Sequence, residues 1–420
     1  MIKKIINSGF FYIFFAEIAN KIIIFLSGIV LVRIIPKSEY GSYAYSQNIY
    51  NFFMIMSGMG MTSGLLQICC EREKKYAWSY YKKGSKYALI FNLFLSLLIG
   101  STSFFIALPI KNTIVYLRLF ALIPVVSIGV ELIQIYNRYT LQNQKYSYLS
   151  IINTFFVFFL GVLGALKFQV TGLIVFQGIG YILTIIYAAI IQRFPIKDII
   201  GKVEDKLQDW GVLLKISFVS MLNNSASIIL YNLDIFVLGY AMSKESVVAS
   251  YKVATYIPNA LSFIPTALII YVYPYFARNS DNVKWVLKHY IKLVVGFSLF
   301  NLLIVVTLLL MAPYIVCVFF GEQYLDSLSV FKILTVSYFF NASFRNTTGN
   351  ILASQRRYKT NLFIGIFAGV INVLGDFIFI PLLGSEGAAI TTLSVTIVAS
   401  VTMVISLMYI LKKKSIDEID

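Results

Sequence analysis

Long apolar runs recur along the whole chain, and short segments rich in basic residues and turn formers separate them. A helix of about 20 apolar residues crosses the hydrocarbon core of a bilayer, whereas a transmembrane β-strand needs only about ten. The pattern therefore predicts about twelve transmembrane helices, with ends defined to within a few residues. They are predicted over residues 9–32, 40–67, 87–108, 113–136, 147–167, 171–192, 213–241, 248–276, 290–319, 327–353, 361–382 and 386–411.

The overall composition agrees with this pattern. The 420-residue chain is 59% hydrophobic and only 13% charged, and its mean hydropathy is +0.79. Soluble domains of average composition are about half apolar and about a quarter charged. The chain is therefore predicted to be an all-α polytopic membrane protein, which excludes a cytosolic enzyme and a nucleic-acid-binding protein. Three cysteines and a single histidine predict neither a disulfide framework nor a metal site.

Basic residues are distributed unevenly between the two sides of the predicted membrane. The termini and the even-numbered connections hold 23 of them, whereas the odd-numbered connections and their margins hold seven. Because basic residues resist translocation, this bias predicts that both termini face the cytoplasm. The net charge of +16 is then mostly an inner-leaflet bias and does not indicate nucleic-acid binding.

The longest polar stretch lies near the middle of the chain and begins at Arg193. It is interpreted as a cytoplasmic linker, residues 193–212, between an N-terminal six-helix lobe, residues 1–192, and a C-terminal six-helix lobe, residues 213–420. Because each lobe has an even number of spans, the two lobes would be parallel repeats, and alternating access would be one lobe rocking on the other.

Weak matches between the two halves support a duplication. Tyr43 matches Tyr251 at a shift of 208 residues, and Gly172 matches Gly384 at a shift of 212. Within the second predicted span, glycines at positions 58, 60 and 64 are interpreted as sites of close helix packing and not as a hinge.

The sequence contains no motif for catalysis. It has no glycine-rich phosphate loop followed by Lys and Ser or Thr, so ATP hydrolysis is not expected. It also has no long external segment with clustered acidic residues of the kind that a membrane glycosyltransferase would use. We therefore expect a transporter that is not an enzyme and needs no cofactor.

Four short patterns carry a family resemblance. They are residues 33–43 (RIIPKSEYGSY), residues 232–251 with Asn232-Leu-Asp234 and Ala249-Ser-Tyr251, residues 320–324 (FGEQY), and Asn372 followed by Ile380-Pro381, Gly384 and Gly387-Ala388-Ala389. In this order they resemble the polysaccharide-transport flippases of the MATE/MOP superfamily, the O-antigen and capsule repeat-unit flippases. The resemblance implies a MOP-type fold in the bacterial inner membrane. It also implies translocation of undecaprenyl-pyrophosphate-linked oligosaccharide repeat units from the inner to the outer leaflet for surface polysaccharide biosynthesis. The implied partners are this glycan, membrane lipid, a proton or sodium ion for coupling, and polysaccharide assembly proteins.

Charged and polar residues inside the predicted spans are the candidate site residues, because a charge at the bilayer centre costs several kcal/mol unless it is paired or hydrated. The cations are Lys21, Lys252 and Arg345, the acids are Glu17, Asp234 and Asp376, and the polar residues are Asn223, Asn224 and Asn341. The cations would bind the pyrophosphate in a hydrated cavity between the lobes, since guanidinium and ammonium groups suit phosphate oxygens. The acids would balance charge or carry a coupling ion, and the asparagines would line the aqueous path.

Two structural and two functional alternatives stay open. The charges could form internal ion pairs, as Glu17 and Lys21 could one helical turn apart, or they could extend to the interface. A cation-coupled multidrug exporter of the same superfamily would need an acid-lined aromatic pocket, whereas these spans also hold three cations. A non-transport membrane subunit of polysaccharide assembly would need a large external loop, and the predicted external connections are short.

Overall fold

The computed structural model describes residues 10–105, 107–196 and 210–417, and these residues form twelve helical segments. The first six are α1 (Phe10–Ile34), α2 (Lys37–Glu71), α3 (Lys74–Phe105), α4 (residues 113–139), α5 (residues 143–167) and α6 (residues 170–190). The second six are α7 (Trp210–Met242), α8 (Glu245–Arg278), α9 (Val283–Leu310 and Ala312–Phe320), α10 (residues 328–354), α11 (Tyr358–Leu383) and α12 (Ser385–Asp417). The predicted all-α polytopic fold is confirmed.

Among the described residues, eight helices are long and apolar enough to cross a membrane, and the bent pair that forms α4 brings the number to nine. This number is below twelve partly because α5 and α6 count there as one helical segment, Asn143–Ile190. Its 48 residues reverse direction at Phe168 and Gln169, where Gln169 has a φ of 54°. At 1.5 Å per residue, 48 residues are about twice as long as one crossing requires.

The helices form two compact units, which we call unit 1 (Met1–Asn232) and unit 2 (Leu233–Asp420). The boundary between the units falls inside α7. The predicted linker over residues 193–212 stays a prediction, because residues 197–209 lie outside the described residues. Within the repeat, α2 and α8 begin 208 residues apart, at the shift that the tyrosine match indicates.

Glycines allow the two helices of the last hairpin of each unit to pack closely. A Cβ on Gly164 or Gly172 would clash with the carbonyl oxygen of the other glycine, and a Cβ on Gly387 would clash with the carbonyl oxygen of Phe379. In both hairpins the contact joins residues eight positions apart. Gly172 is therefore the structural equivalent of Gly387, at a shift of 215 residues, and not of Gly384, which the sequence match pairs with it at a shift of 212.

In unit 1, α2 is broken at Ser57–Gly60, where Gly58, Met59 and Gly60 have φ values of 55°, 51° and 73°. The side chain of Asn92 on α3 bridges the break. Its Oδ1 accepts a hydrogen bond from the Gly58 amide at 2.6 Å, and its Nδ2 donates to the carbonyl oxygen of Pro124 at 2.7 Å. Gly58 and Gly60 are thus part of a break in the helix, which the packing interpretation did not include.

The same glycines do also allow close packing. A Cβ on Gly60 would clash with the backbone carbonyl of Ser217 on α7, and a Cβ on Gly64 would clash with the side-chain hydroxyl of the same residue. The N-terminal part of α7 therefore lies directly against α2 within unit 1.

Candidate functional site

Two acidic side chains of unit 2, Asp234 on α7 and Asp376 on α11, lie beside each other and interact electrostatically. Asp376 is completely buried and Asp234 is partly buried. The buried Tyr251 of α8 donates its hydroxyl to Asp234 Oδ2 at 2.6 Å, and Thr392 of α12 donates to the same oxygen at 2.9 Å. Four helices converge on these residues, which we call the carboxylate cluster: Asp234, Tyr251, Asp376 and Thr392.

Most carboxylate oxygens of this cluster have no hydrogen-bond donor. Asp234 Oδ1 and both side-chain oxygens of Asp376 are buried without a partner, and so is the amide nitrogen of Asn372 one turn earlier on α11. A buried charge without compensation is strongly unfavourable, and two neighbouring carboxylates also repel each other. A proton or a small cation between the carboxylates would relieve both effects.

The chemistry of the donor set restricts which ion would fit. Carboxylate, hydroxyl and amide oxygens are hard ligands that suit hard cations, whereas transition metals prefer sites with nitrogen or sulfur ligands. Within the described ranges, three or more His, Cys, Asp or Glu side chains never come together as a metal site.

Gly375 allows α12 to reach the carboxylate cluster. A Cβ at this position would lie 2.5 Å from Cγ2 of Thr391, which directly precedes Thr392 on α12. The hydroxyl of Thr391 donates to the carbonyl oxygen of Gly387 at 3.0 Å, so it is engaged within its own helix. The glycine next to Asp376 therefore sets the distance between α11 and α12 at this point.

Arg345 lies in a π-helical turn, Asn341–Asn346, in the middle of α10. Such turns are rare and frequently occur at functional sites. Ser400 of α12 donates to the carbonyl oxygen of Phe340 at 3.2 Å, directly before the turn. The side chains of Arg345 and Asn341 are both half-buried, and the guanidinium has no hydrogen-bonding or ion-pairing partner among the described residues.

The other predicted cations are also unpaired. Lys252 on α8 is half-buried and Lys21 on α1 is exposed, and neither ammonium group has a partner in the part of the chain that the structure describes. Glu17 is exposed, interacts electrostatically with Tyr146, and forms no ion pair with Lys21 within the same described part. The structure therefore does not pair Glu17 with Lys21, and their roles stay predictions.

The structure brings two of the predicted site residues together, and the predicted charges are divided between the two units. Asp234 and Asp376 meet in unit 2, which also contains Lys252 and Arg345, whereas Glu17 and Lys21 belong to unit 1. A shared anion site made of all three cations stays a prediction. The side chains of Asn223 and Asn224 lie outside the described residues.

Two residues of the carboxylate cluster, Thr392 and Tyr251, are not predictable as site residues from the sequence. Thr392 was not a candidate, and its only signal is its place in a threonine pair near the start of an apolar helix. Tyr251 was identified as a repeat match, but nothing in the sequence indicated that its hydroxyl contacts Asp234.

The family model described as "Polysaccharide biosynthesis protein" (Polysacc_synt_3) matches residues 30–329, well over half of the chain. No curated protein matches the sequence significantly.

Several solved structures share the fold. The chain is similar to the lipid II flippase MurJ in an inward closed conformation, with a TM-score of 0.69 and 15% identity over 96% of this chain and 90% of that chain. It is also similar to the inward-facing conformation of a multidrug resistance MATE family transporter of the MOP superfamily, with a TM-score of 0.68 and 16% identity over 94% of this chain and 95% of that chain. A MATE crystal structure in complex with MaL6 gives a TM-score of 0.62 and 16% identity over 98% and 97% of the two chains. At such identities the likeness shows the fold alone, and the predicted MOP-type fold is confirmed.

Proposed function

We infer that this chain, which belongs to the polysaccharide biosynthesis protein family, is a flippase for lipid-linked oligosaccharides. Its substrate would be an undecaprenyl-pyrophosphate-linked repeat unit, moved from the inner to the outer leaflet of the bacterial cytoplasmic membrane for surface polysaccharide biosynthesis. The observation that carries the proposal is the family match over residues 30–329, and the similarity to the fold of a lipid II flippase supports it.

The three unpaired cations are the proposed contacts for the pyrophosphate. Arg345 and Lys252 are half-buried, and Lys21 lies in a helix that is apolar over most of its length. A cation at membrane depth without an acid partner needs water or an anionic ligand. A pyrophosphate would supply that charge, and Arg345 could bind it through two parallel hydrogen bonds.

The carboxylate cluster is the proposed site for a coupling ion, either a proton or sodium. Asp234 and Asp376 would hold the ion between their unpartnered oxygens, and Asn372 lies one turn away on α11. Filling the site would remove the repulsion between the carboxylates and thereby change the packing of α7 against α11. We propose that this change drives alternating access, in which one lobe rocks on the other.

A multidrug exporter of the same superfamily is the second candidate. The observation that favours it is the similarity to a multidrug resistance MATE family transporter, whose TM-score of 0.68 is almost that of the flippase. The carboxylate cluster would serve either function. The unpaired cations favour an anionic substrate over the cationic drugs that such an exporter would bind.

Transport by the purified protein in liposomes separates the two candidates. A fluorescent lipid-linked oligosaccharide should move between leaflets when a sodium or proton gradient is imposed, whereas a cationic dye should not move. Dye export without any movement of the lipid would contradict the proposal. In cells, loss of the protein should lead to accumulation of lipid-linked repeat units in the inner leaflet.

The orientation has its own test. We propose that both termini and the segment around position 205 face the cytoplasm, as the 23 to seven distribution of basic residues predicts. An alkaline-phosphatase fusion at position 205 should therefore be inactive. An active fusion would contradict the orientation and the two-lobe interpretation.

A further inference from the structure

The break of α2 in unit 1 is surrounded by methionine. Four of the ten methionines of the chain lie between positions 54 and 61. Met59 itself adopts a φ of 51°, in a region that residues other than glycine rarely occupy. Met side chains are flexible and polarisable, and they are enriched at surfaces that adapt to varied apolar ligands. The break therefore places an adaptable apolar surface where a regular helix would present a fixed one.

A cavity of 190 Å³ opens beside this break within unit 1. Its walls are apolar and include Met59 and Met61 of α2, Ile90 and Phe94 of α3, and Leu214 of α7. An apolar cavity of about 150 Å³ in another protein binds benzene, so this cavity has room for a segment of hydrocarbon. Ile90 is 66% exposed and Phe94 is 56% exposed, which places the opening on the outside of the helices of unit 1.

One end of the cavity is bordered by polar and aromatic groups. Tyr87 lines the cavity, and its ring centroid lies 5.0 Å from that of Trp210 at the start of α7. Lys83 Nζ lies 4.7 Å from the centroid of the Trp210 ring. Tyr, Trp and Lys are the residues that mark the headgroup level of a membrane. A lipid chain in the cavity would thus have its phosphate end near Lys83.

We propose that this cavity binds part of the isoprenoid chain of the lipid-linked substrate, with the phosphate end towards Lys83. The inference rests on the proposed function for the identity of the lipid. The flexible side chains of Met59 and Met61 can pack around the methyl branches of an isoprenoid chain. Because Leu214 lies on α7, the bound chain would contact the same helix that carries Asp234 of the carboxylate cluster.

Photolabelling of the full-length protein in phosphatidylcholine nanodiscs tests this inference. The probe is geranylgeranyl phosphate with a diazirine on its terminal isoprene unit. We expect labelled peptides that cover residues 54–61 and 87–94, and we expect excess unlabelled geranylgeranyl phosphate to reduce the labelling about tenfold. Labelling elsewhere, or equal competition by added phosphatidylglycerol, would overturn the proposal, and the second result would identify a phospholipid site.

A pair of matched variants adds a second test. Ile90→Trp fills the cavity and should reduce labelling about tenfold. Leu97→Trp adds the same bulk two turns further along α3, at a residue that is also 66% exposed, and should leave labelling unchanged. Equal labelling of both variants would contradict the proposal. The wild-type labelling map decides the question even if Ile90→Trp does not fold.

The liposome transport measurement separates this inference from the proposed function. Absence of labelling in a protein that still moves the lipid-linked oligosaccharide would refute the isoprenoid site alone. Specific labelling in a protein that moves no lipid-linked oligosaccharide would support the site and refute the proposed function.

Discussion

Replacing Asp376 with asparagine should stabilise the protein in the absence of the coupling ion and abolish its response to that ion. The change keeps the shape of the side chain and removes one charge from the carboxylate cluster. Asp376 is 0% exposed, and both of its carboxylate oxygens lack a donor. The variant therefore tests the energetics of the site separately from its role in transport.

The magnitude follows from the burial of the two side chains. A buried uncompensated ion costs several kcal/mol, whereas a buried amide without a partner costs about 1–3 kcal/mol. At a pH at which both carboxylates are ionised, the exchange should raise the free energy of unfolding by about 2 kcal/mol, or roughly 2 °C in Tm for a chain of 420 residues. An ion present at 100 times its Kd would stabilise the wild-type protein by about 2.7 kcal/mol and bring it level with the variant.

Thermal unfolding followed by tryptophan fluorescence, in sodium and potassium buffers and over a range of pH, measures both effects for either ion. Asp326→Asn is the matched control, because this exposed carboxylate of unit 2 accepts from Ser250 Oγ at 3.0 Å and lies outside the cluster. Its Tm should change by an amount equivalent to less than about 0.5 kcal/mol, with the ion response intact. An Asp376→Asn protein that is less stable than the wild type, or that responds equally to the ion, would refute the ion site.

Three further changes test other parts of the structure. Arg345→Ala should reduce export of the finished polysaccharide about 10- to 100-fold while the protein stays in the membrane, since charge-assisted hydrogen bonds contribute about 1.5–3 kcal/mol; an intermediate rate for Arg345→Lys would show that a point charge suffices. Gly375→Ala should destabilise unit 2 by about 1–3 kcal/mol in thermal unfolding, because the added methyl group would lie 2.5 Å from a threonine side chain of α12. Gly365→Ala is the control and should leave the stability unchanged, because the space around Gly365 is open. The side-chain amide of Asn48 on α2 donates to the carbonyl oxygen of Asn232 on α7 at 2.9 Å. Cysteines at these two positions should form a disulfide on oxidation that blocks transport until it is reduced. Unchanged transport by the cross-linked protein would show that α7 does not move against α2.

Apolar run length predicts most of this fold, because the hydrocarbon thickness of a bilayer fixes how long each helix must be. Short motifs were enough to indicate the family, and that resemblance is confirmed by the match over residues 30–329. The break at Gly58 to Gly60 and the π-helical turn around Arg345 were not predictable, because packing against neighbouring helices stabilises both.

The candidate site shows the same limit. Asp234 and Asp376 stood out because charges are rare in apolar spans, but their contact depends on the relative rotation of α7 and α11, which a single sequence does not encode visibly. Tyr251 and Thr392 carry no signal of their own, since hydroxyl groups are common in membrane helices. The two acids are therefore predictable from the sequence, whereas the hydroxyl groups that donate to Asp234 are visible only in the structure.

The nearly loopless turn between α5 and α6 has a consequence for biogenesis. Two residues, Phe168 and Gln169, separate these helices, and Lys167 stands directly before them. Because the turn is so short, α5 cannot move away from the translocon before α6 follows it. The two helices should therefore enter the membrane together as one hairpin. Moving Lys167 across the bilayer costs about 2.5–3.5 kcal/mol on insertion scales, and the apolar surface of both helices together offsets it. If a ribosome is stalled before α6 emerges, α5 should therefore not yet be inserted in the bilayer.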